Sequence, residues 1–154
     1  MNIQTVRKES FCVIGREGST EQGSGFIQQL WQEANSLFGE VEAVAKRDEQ
    51  GNLVGIWGAM TDISGQFRPW TNDFSEGLYL AGVECDDDAV APAGWTKWIV
   101  PGFEYLVLKC EEQCGFPEMI RYLHENNIAL AGAVHDFTDP ATGGSYMYFP
   151  IAKL

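Results

Sequence analysis

Two stretches of similar sequence, "GFIQQLWQEAN" (residues 25–35) and "GFPEMIRYLHEN" (residues 115–126), decide the fold. Both begin with Gly-Phe and then place apolar residues at the spacing of one helix face. Ser24 is a candidate N-cap for the first helix, and Pro117 suits the first turn of the second. The sequence therefore predicts two amphipathic helices in a chain built from two copies of one unit.

Strand-like runs flank both predicted helices in the same order, one before and two after. These runs are residues 10–17, 53–61 and 77–85 in the first copy, and 103–110, 129–137 and 145–152 in the second. The pattern predicts an α+β fold of tandem pseudo-symmetric strand-helix-strand-strand repeats. We expect antiparallel sheets with one helix each and a central ligand cleft, formed by the sheet faces that no helix covers.

The length of 154 residues suits a single domain, with repeat one at about 1–85 and repeat two at 95–154. Between them lies a predicted linker, "DDDAVAPAG" (86–94). The offset between the copies is 90 from Phe26 to Phe116 but only 74 from Gly58 to Gly132. The first copy therefore carries 90 − 74 = 16 extra residues between its helix and its next strand.

Composition and charge limit the classes of function. The chain is 45% hydrophobic and 21% charged, which is typical of a soluble globular protein. Its 22 acidic and 10 basic residues argue against binding nucleic acid, whose affinity comes largely from Lys and Arg. No apolar run reaches the length of a membrane helix, and the start "MNIQTVRKESF" lacks a signal-peptide core. We therefore expect a cytoplasmic protein without a membrane partner.

The four cysteines do not form a metal-binding pattern. Cys12, Cys85, Cys110 and Cys114 include no CxxC pair, and the two histidines add no ligand spacing. We predict buried reduced thiols, no metal site and no cofactor.

Three strand motifs resemble those of the GyrI-like small-molecule-binding domains. They are "YLAGVEC" (79–85), "IVPGFEYLVLKC" (99–110) and "SYMYFPI" (145–151), and together they span much of the chain. The family includes the effector-binding domains of AraC- and MerR-type multidrug regulators and integron cassette proteins that bind cationic drugs. The resemblance implies a cleft in which a buried glutamate, surrounded by aromatic rings, meets the positive charge of a ligand.

Three acidic residues are candidates for this role. The resemblance points to the strand at 130–137, where this chain has Asp136 instead of a glutamate. Glu84 lies within an apolar strand, and Glu104 lies near a strand start. Asp62, in "TDISG", has the character of a turn residue.

Six aromatic residues outside the two helices are candidate cleft residues, because aromatic faces attract organic cations. A carboxylate in an apolar cleft is costly to keep charged and gains from a bound cation. The candidates are Trp57, Trp70, Phe74, Tyr79, Tyr105 and Tyr148. Trp31 belongs instead to the predicted helix core. His135 could act as a general base, but neighbouring strand residues point to opposite faces, away from Asp136.

These observations favour a stand-alone binding module for small hydrophobic molecules, with organic cations as the expected class. We expect no DNA-binding region; the protein would sense or sequester a compound, or signal through a regulatory partner protein. Two alternatives stay open. The first is an enzyme of the family branch that hydrolyses cyclopropane-containing toxins, in which an acid activates water. The second is a protein-interaction module of the gyrase-inhibitor type, whose acidity would aid docking.

Overall fold

The structure, a computed structural model, describes residues 1–112 and 115–154. Those residues form eight strands and three helices. In chain order these are β1 (Ile3–Lys8), β2 (Phe11–Ser19), α1 (Phe26–Ser36), β3 (Ile56–Thr61), α2 (Thr71–Phe74), β4 (Leu78–Cys85), β5 (Thr96–Val100), β6 (Phe103–Cys110), α3 (Phe116–Glu125), β7 (His135–Thr138) and β8 (Ser145–Lys153). Single 3-10 turns lie at Thr20–Gln22, Phe38–Glu40 and Glu42–Val44.

All eight strands join one antiparallel sheet in the order β1-β6-β8-β7-β3-β4-β2-β5. Exchanging β1–β4 for β5–β8 gives the same order read from the opposite end of the sheet, so the predicted α+β class and its pseudo-symmetry are confirmed. The repeats share one sheet, whereas the sequence indicated a sheet for each. Each repeat also has a first strand, β1 or β5, that the sequence analysis missed. These two strands pair with the other repeat, β1 with β6 and β5 with β2, which joins the two copies.

The two repeats meet in the middle of the sheet, where β3 pairs with β7. This seam is three residue pairs long: Ile56 with Thr138, Trp57 with Phe137, and Gly58 with Asp136. Because neighbouring residues of a strand point to opposite faces, Gly58 and Asp136 share one face, while Trp57 and Phe137 share the other.

Helices α1 and α3 cover the same face of the sheet, one over each repeat. Helix α1 buries Leu30 and Ala34 against β2 and β4, and α3 buries Met119 and Leu123 against β6 and β8. Burial of such a large apolar side chain contributes about 2 kcal/mol. The N-cap of α1 is Gly25 in a left-handed conformation, so the prediction of Ser24 as the cap is wrong.

The face without helices curls inward and closes on itself. Two-residue links join β1 to β2 and β5 to β6, although the two strands of each pair lie six places apart in the sheet. In a flat sheet β1 and β4, five places apart, would be separated by roughly 24 Å. Instead Lys8 Nζ of β1 lies 3.4 Å from the Glu84 carboxylate of β4.

Aromatic side chains fill the inside of this curl. Trp57, Phe103 and Tyr105 are at most 1% exposed there. These residues of the helix-free face, where the cleft was expected, are packed as core.

The cysteines differ in state. Cys12 and Cys85 are buried and free, as predicted. Cys110 is disulfide-bonded, so the prediction of a reduced thiol is wrong there. Cys114 lies outside the described residues. Across the described part of the chain, every helix is too short or too polar to cross a membrane.

Candidate functional site

An apolar cavity of about 260 Å³ lies over the seam, on the face that carries the helices. It contains one carboxylate, which belongs to Asp136 of β7. Residues from both repeats line it: Met60, Trp70 and Phe74 from the first, and Phe116, Val134, Asp136 and Met147 from the second. Asp136 is placed there by its cross-strand neighbours, Gly58 on β3 and Met147 on β8.

The Asp136 carboxylate is the end of a short hydrogen-bond chain. It accepts a hydrogen bond from the Tyr79 hydroxyl at 3.1 Å, and Tyr79 in turn accepts one from Trp31 Nε1 at 3.1 Å. Burial raises the pKa of Asp136 to about 6, and the bond from Tyr79 opposes this rise. Burial and the nearby Asp136 also raise the pKa of Tyr79 well above its usual range, so its hydroxyl stays a donor.

Gly58 makes room for this contact. A Cβ atom at Gly58 would lie 1.9 Å from the Tyr79 hydroxyl oxygen and 3.2 Å from Asp136 Cβ. Any side chain larger than hydrogen would push the Tyr79 ring away from β3. The glycine therefore allows the phenol to cross the strand and reach the carboxylate.

A left-handed backbone segment holds the aromatic wall of the cavity. Asn72, Asp73 and Phe74 have φ between 52° and 61°, a region that costs a non-glycine residue about 1 kcal/mol. This conformation places the Phe74 ring edge-on against Phe116 of α3, with centroids 5.3 Å apart. Trp70 is fixed by a 3.0 Å hydrogen bond from its Nε1 to the Leu78 carbonyl.

Glu84, the second candidate acid, lies on the opposite face in a closed cluster. It is 4% exposed, accepts a 3.0 Å hydrogen bond from Trp57 Nε1 and pairs with Lys8 at 3.4 Å. The Lys8 ammonium also lies 4.5 Å from the centroid of Phe11 and 5.7 Å from that of Trp57. We call these four residues the Lys8–Glu84 cluster; within it the chain supplies its own cation.

The structure divides the remaining predicted site residues between the two faces. Trp70 and Phe74 line the cavity. The hydroxyl of Tyr79 bonds to the Asp136 carboxylate. Trp57, Tyr105 and Tyr148 lie together on the helix-free face, with Tyr148 centroids 5.0 Å from Trp57 and 5.2 Å from Tyr105.

The other two acids lie away from Asp136. Glu104 lies on β6, opposite Arg7 of β1. Asp62 holds the turn after β3, where it accepts hydrogen bonds from the Thr61 and Ser64 hydroxyls and from backbone amides. Burial acts to raise the pKa of Asp62, but these bonds outweigh it and lower the pKa. The interpretation of Asp62 as a turn residue is thus confirmed.

His135 lies on the face opposite Asp136, as predicted. It is fully buried, and its Nδ1 accepts a 3.0 Å hydrogen bond from the Met60 amide. Burial lowers the pKa of His135 to about 3, so the ring is neutral. In this position it supports the seam and does not face the cavity.

The sequence analysis missed four cavity residues: Met60, Phe116, Val134 and Met147. A usable signal existed for Met147, since it pairs with Asp136 across the strands. Phe116 was assigned only to the helix stripe, although it is the first residue of α3 and reaches the cavity edge.

The chain matches no family model and no curated protein sequence. Solved structures are similar over nearly its whole length. SAV2435 bound to tetraphenylphosphonium is 15% identical with a TM-score of 0.67, and the match covers 98% of this chain and 94% of that one. The EcmrR C-terminal domain is 10% identical with a TM-score of 0.61, covering 99% and 98%. The integron cassette protein VCH_CASS2 of Vibrio cholerae is 14% identical with a TM-score of 0.52, covering 99% and 97%.

These likenesses show the fold. The chain shares the fold of SAV2435, of the EcmrR C-terminal domain and of VCH_CASS2.

Proposed function

We propose that this chain binds small hydrophobic organic cations in the seam cavity, and that Asp136 meets their positive charge. The observation that carries the proposal is a carboxylate in an apolar, aromatic cavity without a cation of its own. Among residues 1–112 and 115–154, no ion pair involves Asp136. Its hydrogen-bond partner, Tyr79, is neutral.

The energetics of the cavity favour a cationic ligand over a neutral one. The raised pKa of Asp136 reflects the cost of keeping a charge in this environment, and a bound cation would remove that cost. The faces of Trp70, Phe74 and Phe116 can each add about 0.5–2 kcal/mol where they meet a positive charge. The rest of the affinity would come from apolar contact, which tolerates different ligand shapes. A sensor or a sequestering protein for such compounds fits these properties.

The test compares methyltriphenylphosphonium with triphenylphosphine oxide, a neutral compound of similar shape, by calorimetric titration at pH 7.5. We expect saturable binding of the cation and much weaker binding of the oxide. Asp136→Asn should weaken cation binding about 30-fold, because a charged contact in an apolar cavity is lost. Its effect on the oxide should be small.

Glu104→Gln is the matched control, since it removes one negative charge from β6 rather than from the seam. It should leave both titrations unchanged if the cavity carboxylate, and not general acidity, attracts the cation. Equal binding of the cation and the oxide, or equal losses in both variants, would refute the proposal.

One observation favours a second candidate, a hydrolase of strained electrophilic compounds. Asp136 has a pKa of about 6 and a hydroxyl partner in Tyr79, and a carboxylate with such a pKa can act as a general base near neutral pH. The test is hydrolysis of an activated cyclopropane, followed by mass spectrometry. Turnover that Asp136→Asn abolishes would support the hydrolase. Binding without turnover would support the binding module instead.

A further inference from the structure

A second cavity, of about 270 Å³, lies on the helix side of the first repeat, beside α1. Its walls are α1 and the segment that follows it, its floor is formed by β3 and β4, and Trp95 closes one side. The lining residues are Trp31, Ala34, Asn35, Phe38, Val41, Leu53, Ile56, Gly82, Val83 and Trp95. Of these, Trp31 also donates to Tyr79. The site proposed above does not include this cavity.

The cavity owes its outer wall to the extra residues of the first repeat. Phe38, Val41 and Leu53 lie in the connection 37–55 between α1 and β3, where the sequence predicted 16 extra residues and the structure has ten. In the second repeat only residues 126–134 connect α3 to β7. The cavity is therefore a feature of one repeat and has no equivalent wall in the other.

Backbone hydrogen bonds hold this wall in place. Two 3-10 turns follow α1, and Val41 N donates to the Phe38 carbonyl at 3.0 Å. Further along, Lys46 N donates to the Glu84 carbonyl at 2.9 Å, which fastens the segment to β4. The wall is thus bonded to β4, an inner strand of the sheet.

Among the residues described in the structure, those that line this cavity carry no ionisable side chain, in contrast to the seam cavity. Charged residues lie next to the lining: Arg16 is 3.4 Å from Glu33 and 5.5 Å from the Trp95 ring, and the exposed Glu40 accepts a 2.9 Å hydrogen bond from Trp95 Nε1. The polar lining side chain is the exposed amide of Asn35. A charged ligand would lose its hydration here without gaining a partner.

We propose that this cavity is a second small-molecule site, selective for uncharged aromatic compounds of about two fused rings. The size follows from the volume, since an apolar cavity of about 150 Å³ accommodates benzene. The selectivity follows from the aromatic lining, and the Asn35 amide can bond one polar substituent at the rim. This site does not depend on Asp136.

The test uses 2-naphthol, which is uncharged at neutral pH, and the indole N–H signals in ¹H–¹⁵N NMR spectra of the ¹⁵N-labelled chain. Trp95 lines the second cavity but not the seam cavity, and Trp70 lines the seam cavity but not the second, so the two indole signals distinguish these two sites. Assignment uses Trp→Phe variants. We expect 2-naphthol to shift the Trp95 and Trp31 signals saturably, with or without methyltriphenylphosphonium.

Filling the cavity should remove this response. Ala34→Leu adds bulk from the α1 wall and Leu53→Phe adds it from the opposite wall; either should weaken the Trp95 response about tenfold or more. Val134→Leu adds bulk to the seam cavity and should leave that response unchanged. The spectrum of each variant also reports whether it folds.

Unmoved Trp95 and Trp31 signals up to the solubility limit of 2-naphthol would overturn the proposal. So would a response that both folded filling variants retain in full. The seam site is tested separately: it fails if methyltriphenylphosphonium does not shift the Trp70 signal.

Discussion

The Lys8–Glu84 cluster and the seam cavity contain the same chemistry on opposite faces of one sheet. Each has a carboxylate next to aromatic rings. In the cluster the chain places its own ammonium group 3.4 Å from the carboxylate and over two rings. In the cavity, the partner of Asp136 among the residues that the structure describes is the neutral Tyr79. The comparison teaches that an acid with aromatic neighbours is a structural element when the fold supplies the cation, and a candidate binding site when it does not.

The largest effect should come from removing the internal cation. Lys8→Met leaves Glu84 buried without its partner, and we expect a loss of about 2 to 3 kcal/mol in the free energy of unfolding, measured in urea. The loss is below that of a fully buried pair because the Lys8 side chain is 27% exposed.

The double variant Lys8→Met/Glu84→Gln is the control for this loss. It should recover most of the stability, since Gln can still accept the bond from Trp57. Ethylammonium chloride should partly restore Lys8→Met, whereas sodium chloride should not. A Lys8→Met protein as stable as the wild type would show that the Lys8 ammonium group does not stabilise the buried Glu84.

Removing the charge of Asp136 should raise the free energy of unfolding, whereas removing the charge of Lys8 should lower it. Its pKa is 3.8 in the unfolded chain and about 6 in the folded one, so ionisation costs stability as pH rises between these values. Asp136→Asn should therefore stabilise the ligand-free protein by about 2 to 3 kcal/mol at pH 8. Near pH 4 the two proteins should be almost equally stable. Thermal unfolding of both proteins between pH 4 and pH 8 checks this prediction. An Asp136→Asn variant that is less stable than the wild type at pH 8 would contradict it.

Binding of a cation to the seam cavity should depend on pH with the same midpoint. At pH 5 only about one tenth of Asp136 is ionised, so we expect methyltriphenylphosphonium to bind about tenfold more weakly than at pH 7.5. Calorimetry at several pH values measures this profile. The affinity of the Asp136→Asn variant should not change with pH. If the wild-type affinity does not change either, binding does not depend on the ionisation of Asp136.

The smallest effect should come from the hydrogen bond that supports the carboxylate. Tyr79→Phe removes a donor to Asp136, so the pKa of Asp136 should rise and the midpoint of the binding profile should move to higher pH. The variant also leaves Trp31 Nε1 without its acceptor, and we expect a stability loss of about 1 kcal/mol. An unchanged midpoint would show that Tyr79 does not hold the carboxylate in solution.

Much of the fold could be predicted because helical and strand periodicity are local signals. The predicted helices at 25–35 and 115–126 match α1 and α3 within two residues, and the strand predicted at 103–110 is β6. Strands β1 and β5 were missed because their support comes from pairing with the other repeat. Such pairing depends on residues about 100 positions away and leaves little trace in a short, mostly polar run such as "IQTVRK".

The site could be predicted only in part, for a related reason. Alternation along β8 separates Met147 from Tyr148, but it does not say which of the two faces the cavity. The answer depends on the direction in which the sheet curls, which is set by the two-residue links between distant strands. Asp136 and Phe74 were therefore identified, whereas Trp57 and Tyr148 were grouped with them although they lie on the other face.

The short seam has a consequence for how binding could be detected over time. Only three residue pairs of β3 and β7 join the repeats at the centre of the sheet, and the cavity above them is lined from both sides. A ligand there must leave, or lose half its contacts, before the seam can open. The backbone amides of Gly58 and Asp136, which point across the seam, should then exchange their hydrogens with solvent more slowly in the complex. A compound bound in the cavity would therefore hold the two repeats together.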